Sequence, residues 1–172
     1  MIHKIISGGQ TGADRGGLIA GKILGIETGG TAPKGWMTED GPYPALGHFY
    51  GLKEGPPGYP ARTRLNVADS DATLLMGNPG SLGSALTCAI CTDLNKPCLV
   101  NPTPAALMEW LDAHDVGILN VAGNRASKNP TIEGVTYHLL RDTILGIREA
   151  QLAREICKGS LRDTARGSRD ES

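Results

Sequence analysis

With 17 Lys and Arg against 18 Asp and Glu in 172 residues, the chain has a formal net charge of -1 and a pI near 6.4. That argues against the basic stripe of a nucleic-acid binder but leaves room for a small anion needing only a few local cations. The length suits one domain, no apolar run is long enough to span a membrane, no leader precedes the first strand, and Cys88, Cys91, Cys98 and Cys157 make no disulfide framework, so a reduced cytoplasmic protein is expected.

The first element is the β-branched run Ile2 to Ile6, which stops on Ser7-Gly8-Gly9-Gln10-Thr11-Gly12 and reopens as a helix from about Ala13 to Leu24, with Asp14 in its first turn. Paired glycines at such a point let backbone N–H groups close on an anion while the helix start supplies partial positive charge. The spacing is neither G-x-G-x-x-G nor a P-loop, since no Lys-Ser/Thr pair follows Gly12. The turn therefore predicts an anion cradle without naming the anion; an ordinary tight βα turn is the competing reading.

Gly25 ends the helix and a second strand is expected near Ile26 to Thr31, completing a β-α-β unit. Lys34 then stands where a dinucleotide-binding fold would place a ribose-holding acid, which argues against nicotinamide cofactors. Residues 33–60 are rich in Pro and Gly and carry Lys34, Glu39, Asp40 and Tyr59, a pattern of a lid or binding loop. A plain surface excursion with an edge strand near His48 to Leu52 is the alternative. In the short helix expected over Ala61 to Val67, Arg62 and Asn66 share a face and either reach a ligand or pair with Glu39, Asp40 or Asp69.

A third strand, Ala72 to Met76, ends at Gly77-Asn78-Pro79-Gly80-Ser81-Leu82-Gly83-Ser84. Two such turns on one sheet would face the sides of one crevice and make a bipartite site. Ser81 and Ser84 read as hydroxyl donors rather than nucleophiles, because nothing resembles a G-x-S-x-G elbow. The next helix has Leu82, Ala85, Leu86, Ala89, Ile90 and Leu94 as its core stripe, with Thr87, Cys88 and Cys91 on an outer face expected to pack on another subunit. Small buried residues are the better reading of Cys88-x-x-Cys91, since no matching Cys/His pair follows.

A fourth strand is expected over Pro97 to Asn101, a helix over Ala105 to His114 with Trp110 in the core, and a fifth strand over Gly117 to Val121. The loop that follows offers Arg125, Ser127 and Lys128 to an anion, or simply to solvent. The last helix is expected from about Ile132 to Lys158, closing a single domain of residues 1–158, with 159–172 a charged, disordered tail.

Ser7-Gly8-Gly9-Gln10-Thr11-Gly12-Ala13-Asp14, Pro33-Lys34-Gly35, Glu39-Asp40-Gly41, Tyr59 with Arg62-Thr63 and Asn66-Val67, Asp69-Ser70-Asp71-Ala72-Thr73, Lys96-Pro97 and Asn120-Val121-Ala122-Gly123 occur together and in order. This set resembles the molybdenum cofactor carrier family, part of a Rossmann-like nucleotide-ligand group that includes cytokinin-activating phosphoribohydrolases and the DprA domain. The resemblance implies a Rossmann-like three-layer α/β/α sandwich with about five mostly parallel strands, a dimer or tetramer, and binding of the molybdenum cofactor, a pterin with a phosphate and a dithiolene-held metal. It departs from the phosphoribohydrolase pattern P-G-G-x-G-T-x-x-E, since Thr87 stands at the position of the catalytic glutamate.

The preferred reading is thus a non-catalytic carrier that hands its cofactor to accepting enzymes. Its expected binding residues are Ser7, Gly8, Gly9, Gln10, Thr11, Gly12, Asp14, Lys34, Arg62, Asn66, Gly77, Gly80, Ser81, Gly83, Ser84 and Arg125, with no protein metal ligand. Two alternatives stand beside it. One is an enzyme acting on a nucleotide or sugar phosphate with Asp14, Glu39 or Asp40 as the acid; the other is a nucleotide-signal sensor whose assembly responds to ligand.

Overall fold

A computed structural model describes residues 1–167. In chain order the elements are β1 (Lys4–Ser7), α1 (Ala13–Ile23), β2 (Glu27–Gly29), β3 (Thr31–Ala32), β4 (Met37–Thr38), β5 (Gly41–Pro42), α2 (Ala45–Tyr50), β6 (Lys53–Glu54), α3 (Tyr59–Ala68), β7 (Ala72–Met76), α4 (Leu82–Asp93), β8 (Cys98–Val100), α5 (Pro104–Ala113), β9 (Ile118–Gly123) and α6 (Ile132–Gly167). A single helical turn at Lys34–Trp36 joins β3 to β4. Five strands form one wholly parallel sheet in the order β2-β1-β9-β7-β8, and two small pairs, β3 with β6 and β4 with β5, stand outside it.

Parallel strands with both faces covered read as unbroken apolar runs, and every residue of β7 is buried. Alternation along the strands divides the core. Ile5, Leu74, Leu119 and Val121 pack with Leu107, Leu111, Leu139 and Leu140 of α5 and α6. On the opposite face Asn120 Nδ2 donates to Thr73 Oγ1 at 3.1 Å, while Val67, Ile90 and Cys91 form a second cluster under α3 and α4. α1 packs on α6 and α6 on α5, whereas α3 packs on α4. The result is the expected three-layer Rossmann-like sandwich. Gly17 lets α1 lie close to the sheet, since a Cβ there would fall 2.7 Å from the Val121 side chain.

Three expectations need correction. The edge strand near His48 to Leu52 is instead helix α2, started by Pro44 and stopped by Gly51 at φ 70°. Pro at a helix start and Gly at its end are the missed signals, and fully buried Leu46 draws the turn onto Leu18, Ala32 and Leu52. Helix α4 docks through a different side: Ser84, Thr87, Ile90 and Cys91 are buried, while Leu82 is 94% exposed and Ala85 and Ala89 also face out. The stripe was misplaced because small polar residues pack against Thr73 and α3 as readily as apolar ones once their hydroxyls bond locally, as Thr87 Oγ1 does to Gly83 O at 3.0 Å.

Finally, α6 continues to Gly167, beyond the expected end at Lys158. Of the tail expected at 159–172, residues 168–172 lie outside the described residues. Trp110 is half-buried at the margin of the core. Cys91 is buried and Cys88 and Cys98 are half-buried; a hydrogen bond with Cys98 brings the Cys91 thiol down to about 7 and pushes that of Cys98 up. No group of metal-holding side chains and no helix able to cross a membrane occurs among the described residues.

Candidate functional site

β9, the last strand in sequence, lies between β1 and β7. Its carboxyl end therefore brings the loop 124–131 between the two glycine-rich turns, and Asn124 ties the three together. Its N–H donates to Met76 O at 3.0 Å, its carbonyl accepts from Ala13 N at 3.1 Å, its Oδ1 accepts from Asn78 N at 2.6 Å and its Nδ2 donates to Ser81 Oγ at 3.1 Å. Sequence reasoning missed this residue. The only available signal was an amide directly after the strand-ending Gly123.

The β1–α1 turn is not the open cradle its glycines suggest. Gly9 N donates to Ser7 Oγ at 3.1 Å, Gln10 N to Asp14 Oδ2 at 3.2 Å and Thr11 N to Gln10 Oε1 at 3.0 Å. Arg62 Nη1 faces Asp14 Oδ2 at 3.5 Å, both side chains being nine-tenths or more buried. Burial pushes the Asp14 carboxyl above its usual range against the opposing pull of Arg62 and of the Gln10 and Gly8 amides. The Arg62 guanidinium lies against Gly8, where a Cβ would come within 1.7 Å of Nη1. Arg62 Nε and Gln10 Nε2 are buried without a partner among the described residues.

Tyr59 receives two cations on one ring, Arg125 Cζ at 4.7 Å and Arg62 Cζ at 5.8 Å from its centroid. A spacing of three residues on α3 aligns Tyr59 with Arg62, and the β9–α6 loop delivers Arg125.

Glu39, in the hairpin between β4 and β5, fastens residues 37–42 over this group. It accepts from Thr11 Oγ1, from Ser127 Oγ and from Ser127 N at 3.1 Å, while its own N–H donates to Gln10 Oε1 at 2.9 Å. Ala126 N donates to Thr11 Oγ1 at 3.2 Å. Burial raises the Glu39 pKa, but the hydroxyls of Ser127 and Thr11 and the Ser127 amide outweigh it and hold the carboxyl below its ordinary 4.5. A carboxyl depressed on folding contributes stability above its unfolded pKa and loses it as pH falls through the folded value. Wild type is thus expected to lose stability as pH falls below about 4.5, and Glu39→Gln to lack that component; urea midpoints of both proteins between about pH 3 and 6 measure it.

At the β7–α4 turn, Asn101 holds Gly77 by both amide atoms, each at 2.7 Å. Gly80 N donates to Asn78 Oδ1 at 2.9 Å, and Ser81 Oγ accepts from Ser84 N at 3.4 Å as the helix cap. The first amides of α4, at Leu82 and Gly83, have no acceptor within the chain among the described residues, and the space beside Gly83 is open. A cleft of about 410 Å³ adjoins this turn, lined by Gly77, Asn78, Asn101, Asn124 and Lys128 among others. A second cavity of about 270 Å³, at the amino ends of β1 and β9 by Ile2, Val116 and Met108, shares no residue with these loops.

The fold therefore brings Gly8, Gln10, Thr11, Gly12, Asp14, Arg62, Ser81, Ser84 and Arg125 to one rim. Ser7 and Gly9 lie beneath, spent on each other. Asn66 is committed elsewhere, its amide bonded both ways to the Thr31 backbone at 2.8 and 3.0 Å. Lys34 is exposed, and its backbone N–H donates to Pro56 O at 3.4 Å.

Residues 5–144 match the model of the circularly permutated YpsA SLOG family. Among solved structures, a "putative molybdenum carrier protein" from Syntrophus aciditrophicus SB is 39% identical with a TM-score of 0.76, over 83% of this chain and 94% of that one. No curated protein matches. Family match, sequence identity and shared fold thus agree across most of the molecule, and the chain belongs to the circularly permutated YpsA SLOG family.

Proposed function

We propose that the chain is a non-catalytic carrier that binds the molybdenum cofactor as cargo and passes it to accepting enzymes. The observation that carries this reading is the paired guanidiniums of Arg62 and Arg125 on the Tyr59 ring, beside the open start of α4. Such a surface suits a flat ring system with an anionic end, the ring against Tyr59 and Arg125 and the phosphate at Ser81, Gly83 and Ser84. The relative named as a molybdenum carrier supports the choice of cargo. In this reading the metal stays on its dithiolene.

Catalysis is disfavoured by what Asp14 and Glu39, two of the three candidate acids, do. Asp14 is paired with Arg62, Glu39 accepts from Thr11 and Ser127, and buried Thr87 occupies the position of the phosphoribohydrolase glutamate. In the same reading four free thiols suit the reducing cytoplasm, and the outward face of α4, with Leu82, Ala85 and Ala89, meets a second copy of the chain. Light scattering at micromolar concentration tests that contact.

Native mass spectrometry on protein purified from its own host tests the cargo. The expected result is a bound mass equal to the cofactor, at one per chain, with saturable uptake that Arg125→Ala weakens about tenfold. A bound nucleotide, or turnover of nucleoside phosphates, would replace the carrier reading with the sensor or the enzyme.

A further inference from the structure

A turn of paired glycines at a helix start invites an anion, and this chain supplies its own. Asp14, the second residue of α1, is 4% exposed and directs Oδ2 at the Gln10 amide, with Arg62 Nη1 behind it. The donors on either side are also taken, Gly9 N by Ser7 Oγ and Thr11 N by Gln10 Oε1. Arg62 covers Gly8 so closely that nothing the size of a phosphate fits between them.

The geometry points to Asp14 as the specificity-determining residue of the β1–α1 turn: its carboxyl group fills the place of a ligand anion, so the turn refuses phosphate and anionic cargo is directed to Arg125 and the start of α4. The turn then works as a floor, holding Arg62 beneath Tyr59, and the asymmetry between the two glycine-rich turns decides which way round a ligand lies. A β7–α4 turn without an inward acid keeps its first amides open. The proposal is independent of what the cargo is, so failure of the cofactor experiment leaves it standing.

Inorganic phosphate is the probe and backbone amide NMR the readout. In wild type the amides of Gly8, Gly9 and Gln10 are expected not to shift as phosphate is raised to millimolar levels. In Asp14→Ala, where Arg62 loses the carboxylate that holds it over Gly8, the freed Gln10 amide is expected to shift saturably, with phosphate binding at least about tenfold tighter than in wild type and raising the melting temperature where chloride does not. Saturable shifts of those amides in wild type, or no gain in phosphate binding by Asp14→Ala, would overturn it. Should Asp14→Ala fail to fold, the wild-type titration alone decides.

Discussion

Arg62→Ala is expected to lower the stability of the protein by about 3 kcal/mol at neutral pH, because it leaves the Asp14 carboxylate buried without its cation. The pair is closed off from solvent, with side-chain exposures of 10% and 5%, so screening by water does not reduce the loss. The value sits at the lower end for a broken buried pair because Asp14 keeps the Gln10 amide and has a second way out, which is to take up a proton. Burial already raises its pKa and Arg62 is the largest influence opposing that rise. Removing Arg62 raises the folded pKa further above the unfolded value. A carboxyl so raised favours the folded state at low pH and costs stability as pH climbs from the unfolded to the folded value. The deficit of Arg62→Ala is therefore expected to shrink as pH is lowered toward about 4. Urea unfolding of wild type and variant at neutral and acid pH measures both size and sign; equal stability at both would show that the pair contributes nothing. Arg62→Lys restores the charge but not the flat contact with Gly8 and Tyr59, so partial recovery is expected.

The second large effect is at Gly12. Its backbone, at φ 80° and ψ -129°, lies in a region that side-chain-bearing residues avoid. A Cβ would stand 2.4 Å from Asn124 O and 2.8 Å from Ala126 N. Both are main-chain atoms held in place, Asn124 O by Ala13 N and Ala126 N by Thr11 Oγ1, so neither yields as a flexible side chain would. Gly12→Ala is expected to cost about 3 kcal/mol or more, from conformational strain together with separation of the first and third loops, and to abolish cargo uptake. Gly83→Ala is the matched control. Its Cβ meets nothing within 4 Å, and a change within about 0.5 kcal/mol is expected. Thermal unfolding of the two variants separates the requirement for glycine at Gly12 from glycine content in general.

The sequence by itself determined the elements and their order wherever the signal is local. β7 occupies Ala72–Met76 as its apolar run requires, α1 begins at Ala13 behind Gly12, and α5 begins at Pro104 after the capping Thr103. Hydrophobic runs, caps and turn residues act over a few positions, so they can be read from a few positions. Motif order also carried the family, which the match over residues 5–144 bears out. Tertiary structure alone decided what closes over each turn. The β1–α1 and β7–α4 turns look alike as strings of glycine, yet one is filled by Asp14 and roofed by Arg62 and Glu39, while the other leaves the first amides of α4 unpaired among the described residues. The amides of the first turn are spent on partners one to four residues away, but what closes over them comes from far along the chain: Arg62 is 48 residues from Asp14, and Glu39 and Ala126 are 28 and 115 from Thr11. That distance is fixed by strand order, and no local pattern announces that β9 will enter between β1 and β7 and place Asn124 at their junction.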